Sequence, residues 1–504
     1  MEITQRIGEY VSGTGLESFP PEAVEAAKGA IIDCLGKALA GSVEQLAQVL
    51  SDFVNANGGV PAATVIGRGC QTSSPDAALI NGAMSHALDY DDITRAIKGH
   101  PTAVLLPGTL ALAEEEGASG RDVLLAYMLG FEVACSVGEA MSVAYADDLG
   151  WHPTGPLGAL GAAAAASRIL KLDPQKTAMA ISLAASQAAG LRGNFGTMTK
   201  PFHAGAACRT GVTSAKLVQA GFTAAEDVLE NRFGFIHAFS GGQGYDADSV
   251  LRNLGEKCYL MESGVEIKKY PCCGSAHLAL DATLELLSRQ SIDPEQVEKI
   301  DVQVDFDPPR SLIHARPTTA LEGKFSMQYC LAASLLDGGV NLSSFTDSQV
   351  LRTEAQEFIP KVNMRRIAGN EGQPSWIEAY NEVEVHLKDG RVLKERADRI
   401  DTGALRGTTM DEIRDKFRDC AIAALSDSSS QELLGLLDRL GSGPGFPPTR
   451  ISSWREISIT SPFRTMSWSS TFNTFNMFGV WSAISSPCRH SGLTPGYMGF
   501  GGGL

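Results

Sequence analysis

The stretch PLGALGAAAAASRIL, residues 156–170, is the most apolar in the chain, and the reading of the fold starts from it. It is short for a membrane span, and its Ala and Gly carry too little apolar surface to favour one. It reads instead as a buried helix whose small side chains let neighbouring helix axes approach closely. Gly weakens a helix interior, so propensity alone does not explain the composition and close packing does. Similar Ala-rich windows, with apolar residues at steps of three and four, recur over 76–87, 105–115, 122–140 and 174–189. Nearer the amino end, Pro21 suits an early helical position, and Val24, Ala27, Ile31, Leu35 and Ala38 follow at helical steps. The first half is predicted to be mainly helical.

The rhythm changes near residue 297. In VEKIDVQVDF, Ile300, Val302, Val304 and Phe306 alternate with polar residues, and in NEVEVHLKDGRVLKE, Val383, Val385 and Leu387 do so before an Asp389-Gly390 turn. A helical window over 324–336 lies between them. The predicted organisation is a helical part over 1–267, a smaller α+β domain over 268–400, a helical return over 401–445 and an atypical Ser/Gly/aromatic-rich extension over 446–504. From residue 451 onward there is no Lys or Asp, while Trp454, Trp468 and Trp481 would invite aggregation if unpaired. The fold class is mainly α, a large all-helical domain with a smaller α+β domain.

Across 504 residues, 42 Lys and Arg face 58 Asp and Glu, a net charge of −16, and 44% of residues are hydrophobic. That is enough material for more than one folded domain. The negative mean field disfavours nucleic acid and anionic membranes as partners, although a few cations focused in a cleft can invert the local potential. The opening MEITQRIGEYVSGTG has no signal-peptide pattern, and ten scattered Cys form no disulfide scaffold or zinc knuckle. A reducing, cytoplasmic location is the expectation.

Four segments concentrate chemistry. HALDYDDITRAIKGHPT (86–102) sets Asp89, Asp91 and Asp92 at the end of a helical window, then Thr94, Lys98 and His100 in a loop. A solvated or capping acid cluster and a divalent-metal site are both open readings; no HExxH spacing supports metal, so none is expected. GWHPTG (150–155) places His152 before Pro153 and ahead of a helix starting near Thr154. Such an amino end can hold a carboxylate and favour neutral imidazole, unless His152 is only filler beside a cap. LRGNFGTMTKPFHAG (191–205) sets Lys200 before Pro201 in a Gly-rich loop, as a surface group, a carboxylate contact or a base, with His203 orienting the loop or beginning the next helix. EIKKYPCCGSAH (266–277) falls at the domain seam, a favoured place for a pocket, and Cys272 and Cys273 read as small buried groups. There is no dinucleotide fingerprint, phosphate loop or nucleophile elbow. Cofactor-free acid–base chemistry by His, Lys and Asp remains.

Taken in order, these segments resemble the MmgE/PrpD family over about residues 1–440, and the ordered set is more specific than any one segment. The resemblance implies a large helical domain formed by both chain ends, a smaller α+β lid domain, a homodimer, and no metal or cofactor. The family's D-[FY]-D-D acid matches Asp89, its G-H-P His matches His100, its G-W-H His matches His152 and its T-K-P Lys matches Lys200. The His after the Cys-bearing seam matches His277. Where the family frequently has Thr directly after the two acids, this chain has Ile93, with Thr94 one place later as the substrate-binding candidate. ARPTTALEGKFS (315–326) matches a lid element and makes Arg316 and Lys324 candidate carboxylate contacts.

The chemistry the resemblance implies is proton removal alpha to a carboxylate of a small di- or tricarboxylate. His152 and Lys200 would exchange the proton, while Asp89 and His100 orient groups and polarise substrate oxygens. Departure of a beta hydroxyl gives dehydration, protonation on the other face gives epimerisation, and loss of carbon dioxide gives decarboxylation. The first reading is a lyase similar to 2-methylcitrate dehydratase. An isomerase similar to iminodisuccinate epimerase, whose branch GWHPT and NFGTMTKP most resemble, a lyase similar to cis-aconitate decarboxylase, and a non-catalytic polycarboxylate-binding or scaffold protein are the alternatives.

Overall fold

A computed structural model describes residues 3–142, 144–369, 380–399 and 403–440. The extension predicted over 446–504 lies outside the described residues.

Helix boundaries follow local signals. Ser119 and Asp122 form a reciprocal capping box at the start of Gly120–Ala140. Pro101 opens Pro101–Glu116, and Gly117 closes it in the left-handed conformation at φ 66°. Thr154–Ile169 begins where GWHPTG places it, directly after Pro153. Gly120–Ala140 is long and apolar enough to cross a membrane, yet most of it is buried and it packs against Thr154–Ile169. It is a core helix of the fold.

Small residues bring these helices together. Thr199–Gln219 lies against Ser74–His86 and Thr154–Ile169. A Cβ added at Gly205 would sit 2.1 Å from the Leu79 carbonyl oxygen, and one at Gly211 would sit 2.5 Å from the backbone of Ala162. No other residue fits at either contact without the axes moving apart. Beyond the sheet domain the chain returns as Met410–Ala421, started by a Thr409/Glu412 capping box, and packs Ile413 and Phe417 on Pro21–Gly41. The helical part is therefore built from both ends of the described chain.

The smaller part is a four-stranded sheet in the order Val362–Arg366, Val297–Val304, Tyr380–Leu387, Val392–Asp398. The first pair is parallel and the other two are antiparallel. Gly390, at φ 89°, makes the expected turn. Val297, Ile300, Val302, Val304, Val383 and Val385 are buried against His277–Arg289 and Met327–Asp337, giving this part its own apolar core. Two strands of this sheet were not anticipated, nor was the two-stranded pair Ala63–Val65 and Cys70–Thr72 in the helical part. Val362–Arg366 reads VNMRR, too short and charged to show a period, and Val392–Asp398 is an edge strand that alternates exposed and half-buried residues, with Leu393 and Ala397 packed on the core.

One local expectation fails. Lys200 is not in a loop but in the first turn of Thr199–Gln219. Pro201 does not break that helix, because a first-turn residue has no intrahelical acceptor for its missing N–H.

Candidate active site

A cavity of about 210 Å³ opens between the helical part and the lid. Its buried floor carries Asp89, His100, His152, Lys200 and Lys268, while Arg95, Lys98, Arg192, Arg310 and Glu266 stand nearer solvent. Six cationic side chains line it against two carboxylates, so the potential inside is positive in a chain of net charge −16.

The acid cluster is neither solvated nor a cap: Asp89, Asp91 and Asp92 are 4%, 0% and 0% exposed. Asp89 has φ 50°, a left-handed conformation that Asp tolerates better than most residues. Its Oδ1 accepts from Lys200 Nζ at 2.6 Å, its Oδ2 is 3.2 Å from Lys268 Nζ, and its carbonyl accepts from Lys268 at 2.8 Å. Burial alone would raise the Asp89 pKa, but the two ammonium groups hold it well below the carboxylate range. Burial lowers the Lys200 pKa while Asp89 opposes that fall.

Hydrogen-bond logic assigns the protons. His86 Nδ1 lies 2.8 and 2.9 Å from the two Asp91 oxygens, and its Nε2 lies 2.7 Å from Lys200 Nζ. A carboxylate only accepts and an ammonium only donates, so His86 is neutral with its proton on Nδ1. Burial, reinforced by Lys200, pushes its pKa down to about 3 against the pull of Asp91. Two of the three Lys200 hydrogens are thus engaged by His86 and Asp89, and the third is available to the cavity. His100 donates from Nδ1 to the Asp92 carbonyl at 3.0 Å, so its neutral ring carries a lone pair on Nε2. Burial is the main cause of its lowered pKa and of the much lower pKa of His152, and the Lys200 charge adds to both. His152 Nε2 is buried with no hydrogen-bond partner among the described residues.

Ring nitrogens and carboxylates of His86, Asp89, Asp91 and His100 lie within 4.8 Å of one another, a spacing that could suit a metal ion. Both His86 nitrogens and Asp89 Oδ1 are already bonded, two of these atoms by the Lys200 ammonium. A divalent ion would have to displace that cation, so the donor set fits a metal poorly.

The structure gathers Asp89, Thr94, His100, His152 and Lys200 around one cavity. His277, Arg316 and Lys324 are not among its lining residues. His277 is buried and donates from Nε2 to the Cys272 carbonyl. Arg316 is exposed and bonds Gln356. Lys324 donates to the carbonyls of Leu88 and Pro271 at 2.8 and 3.0 Å, and burial lowers its pKa to about 8. Two of its three ammonium hydrogens are held by backbone carbonyls. Cys272 and Cys273 are buried groups whose thiol pKa values burial raises.

Lys268, Arg192 and Arg310 were not anticipated. Lys268 sits inside the seam segment 266–277, but its neighbour Lys269 is exposed, and sequence cannot say which of the two turns inward. Lys416, from the returning helix, was missed as well. It donates to the carbonyls of Tyr90 and Lys268 at 3.1 and 2.5 Å and holds together the two loops that carry Asp89 and Lys268.

Residues 5–248 match the MmgE/PrpD N-terminal domain and residues 270–440 match the MmgE/PrpD C-terminal domain. The chain belongs to the MmgE/PrpD family. It is similar to cis-aconitate decarboxylase of Homo sapiens, 28% identical over 450 residues that cover 87% of this chain and 92% of the relative. The mouse (Mus musculus) cis-aconitate decarboxylase is 27% identical over 451 residues, covering 87% and 90%. That of Aspergillus terreus is 28% identical over 474 residues, covering 87% and 94%. For this MmgE/PrpD chain the likeness therefore runs through both the helical part and the lid.

Proposed function

We propose that this protein is a cofactor-independent decarboxylase of an unsaturated tricarboxylate of the cis-aconitate class, rather than the dehydratase first expected. The observation that carries the reading is the cavity lining, six cations against two carboxylates around a floor of neutral imidazoles. Likeness to cis-aconitate decarboxylases across nearly their whole length supports it.

In such a reaction the bond from carbon to one carboxylate breaks and carbon dioxide leaves. The released pair forms a new double bond, the old double bond shifts its pair toward the carbon alpha to a second carboxylate, and that carbon takes one proton. The outer arginines would help hold the two retained carboxylates, and Lys200 and Lys268 would stabilise charge as it moves onto them. Phe195 and Phe325, whose rings flank Lys200 Nζ at 5.3 and 5.2 Å, would dry the departing carboxylate and favour its release as a neutral molecule. His152, lining the cavity through a ring whose Nε2 bonds nothing else among the described residues, would supply the proton.

The reading includes the homodimer that the family resemblance implies; sedimentation at 53.3 kDa would reject that part. The reaction is tested by following cis-aconitate with the purified protein in deuterium oxide by proton NMR. Loss of carbon dioxide with one deuterium in the new methylene is expected. Unchanged cis-aconitate, with loss of water from 2-methylcitrate or inversion of iminodisuccinate, would replace this reading with the dehydratase or the epimerase.

A further inference from the structure

His203 has no part in the site as described. It does not line the cavity, yet its Nδ1 lies 3.1 Å from Nδ1 of His152, with ring centroids 5.3 Å apart. Two elements hold the pair. His203 rides the first turns of Thr199–Gln219, and the His152 peptide N–H bonds the carbonyl of Gly190. Gly190 has φ 144°, and a Cβ there would stand 3.4 Å from the His203 ring and 3.6 Å from the His152 side chain. The backbone passes close beside both side chains.

Two facing Nδ1 atoms require one donor and one acceptor, so this contact decides what His152 presents to the cavity. If His152 donates, its Nε2 is bare and acts as a base. If His203 donates, the His152 proton sits on Nε2 and acts as an acid. Lys200, His86 and His100 also face His152, and these neighbours together with burial disfavour its cation. A neutral imidazole that gives up its only proton becomes an anion unless a second proton arrives at the other nitrogen. His203 is the group in place to deliver it, and it keeps 9% of its surface exposed against 2% for His152.

We propose that His203 is a positioning residue for His152, donating Nδ1–H to Nδ1 of His152, holding the His152 proton on Nε2, and resupplying it from solvent through a two-histidine relay. The inference rests on the proposed decarboxylation, in which a carbon must be protonated. As His152 Nε2–H passes to that carbon, His203 Nδ1–H passes to His152 Nδ1, and a solvent proton joins His203 Nε2. After product leaves, a solvent proton on His152 Nε2 returns the Nδ1 proton to His203, which releases its Nε2–H. Each turnover consumes one proton, as the reaction requires.

The first test needs neither substrate nor variant. In protein labelled with nitrogen-15 at histidine, the His152 ring is expected as the Nε2–H tautomer, and the Nδ1–H tautomer would overturn the proposal. The second test uses cis-aconitate turnover. His203→Asn keeps an amide N–H near the Nδ1 position but passes no proton; kcat should fall ~10² to 10³-fold with KM within about twofold, His152 still Nε2–H, and added imidazole restoring part of the rate. His203→Phe removes donor and relay together and should change the tautomer signal as well. Full kcat in His203→Asn would sink the relay. No conversion of cis-aconitate by the unmodified protein would sink the decarboxylase reading instead, so the two failures are separable.

Discussion

The floor and the rim of the cavity hold similar residues under opposite conditions. On the floor Lys200 and Lys268 share Asp89, and His86 is locked between Lys200 and Asp91 with its proton on Nδ1. At the rim Arg95, Lys98, Arg192 and Arg310 outnumber the single carboxylate of Glu266, and none of the four is fully buried. Low dielectric makes each floor contact strong and each loss costly, whereas rim charges act through a screened field. The floor is suited to chemistry and the rim to gathering negative charge.

The largest effect should come from the floor. Lys200→Met removes the shared donor of His86 and Asp89 and should lower kcat by at least ~10³-fold in the cis-aconitate assay, with helicity by circular dichroism retained. A loss under tenfold would erase the distinction between floor and rim.

Acid should unfold the floor. His86 is neutral in the fold, held down to about 3, and returns to an ordinary value near 6.5 on unfolding. Between these values the unfolded chain binds more protons, so this contribution is full above about pH 6.5 and falls as pH drops toward 3, by about 1.4 kcal/mol per pH unit. Urea midpoints measured across that window should fall with pH, and His86→Gln should flatten the slope.

Lys324 tests whether a buried lysine outside the lining serves structure alone. Lys324→Met leaves the Leu88 and Pro271 carbonyls without that donor and should cost about 1–3 kcal/mol in urea unfolding while KM stays within about twofold. A tenfold rise in KM at unchanged stability would return it to the substrate site. At the rim, Arg310→Gln should raise KM ~10-fold with kcat nearly constant, and 0.5 M salt should shrink the difference. The smallest effect belongs to Arg316→Ala, within about 0.5 kcal/mol in stability and twofold in KM, because its partner Gln356 is neutral and the side chain is exposed.

Much of this contrast was legible along the chain. Prolines marked the helix starts at Pro21 and Thr154, period-2 alternation marked two of the four lid strands, and the ordered motifs pointed to Asp89, His100, His152 and Lys200. The same motifs pointed to His277, Arg316 and Lys324, which lie in the right segments but do not line the cavity. A motif fixes where the backbone runs, while the direction of a long flexible side chain depends on what packs around it.

Composition and periodicity by themselves determined the mainly helical body and the smaller α+β part, and the order of the motifs carried the family resemblance, because hydrophobic period and motif spelling are local properties that each segment carries with it. Tertiary structure alone decided that Lys200 meets Asp89 across 111 residues of chain and that Lys268, not Lys269, turns inward. It also decided that Lys416 from the last described helices braces both loops, and that His152 and His203 meet nitrogen to nitrogen. These contacts join segments distant in sequence, and their strength comes from shared burial that no single segment can supply.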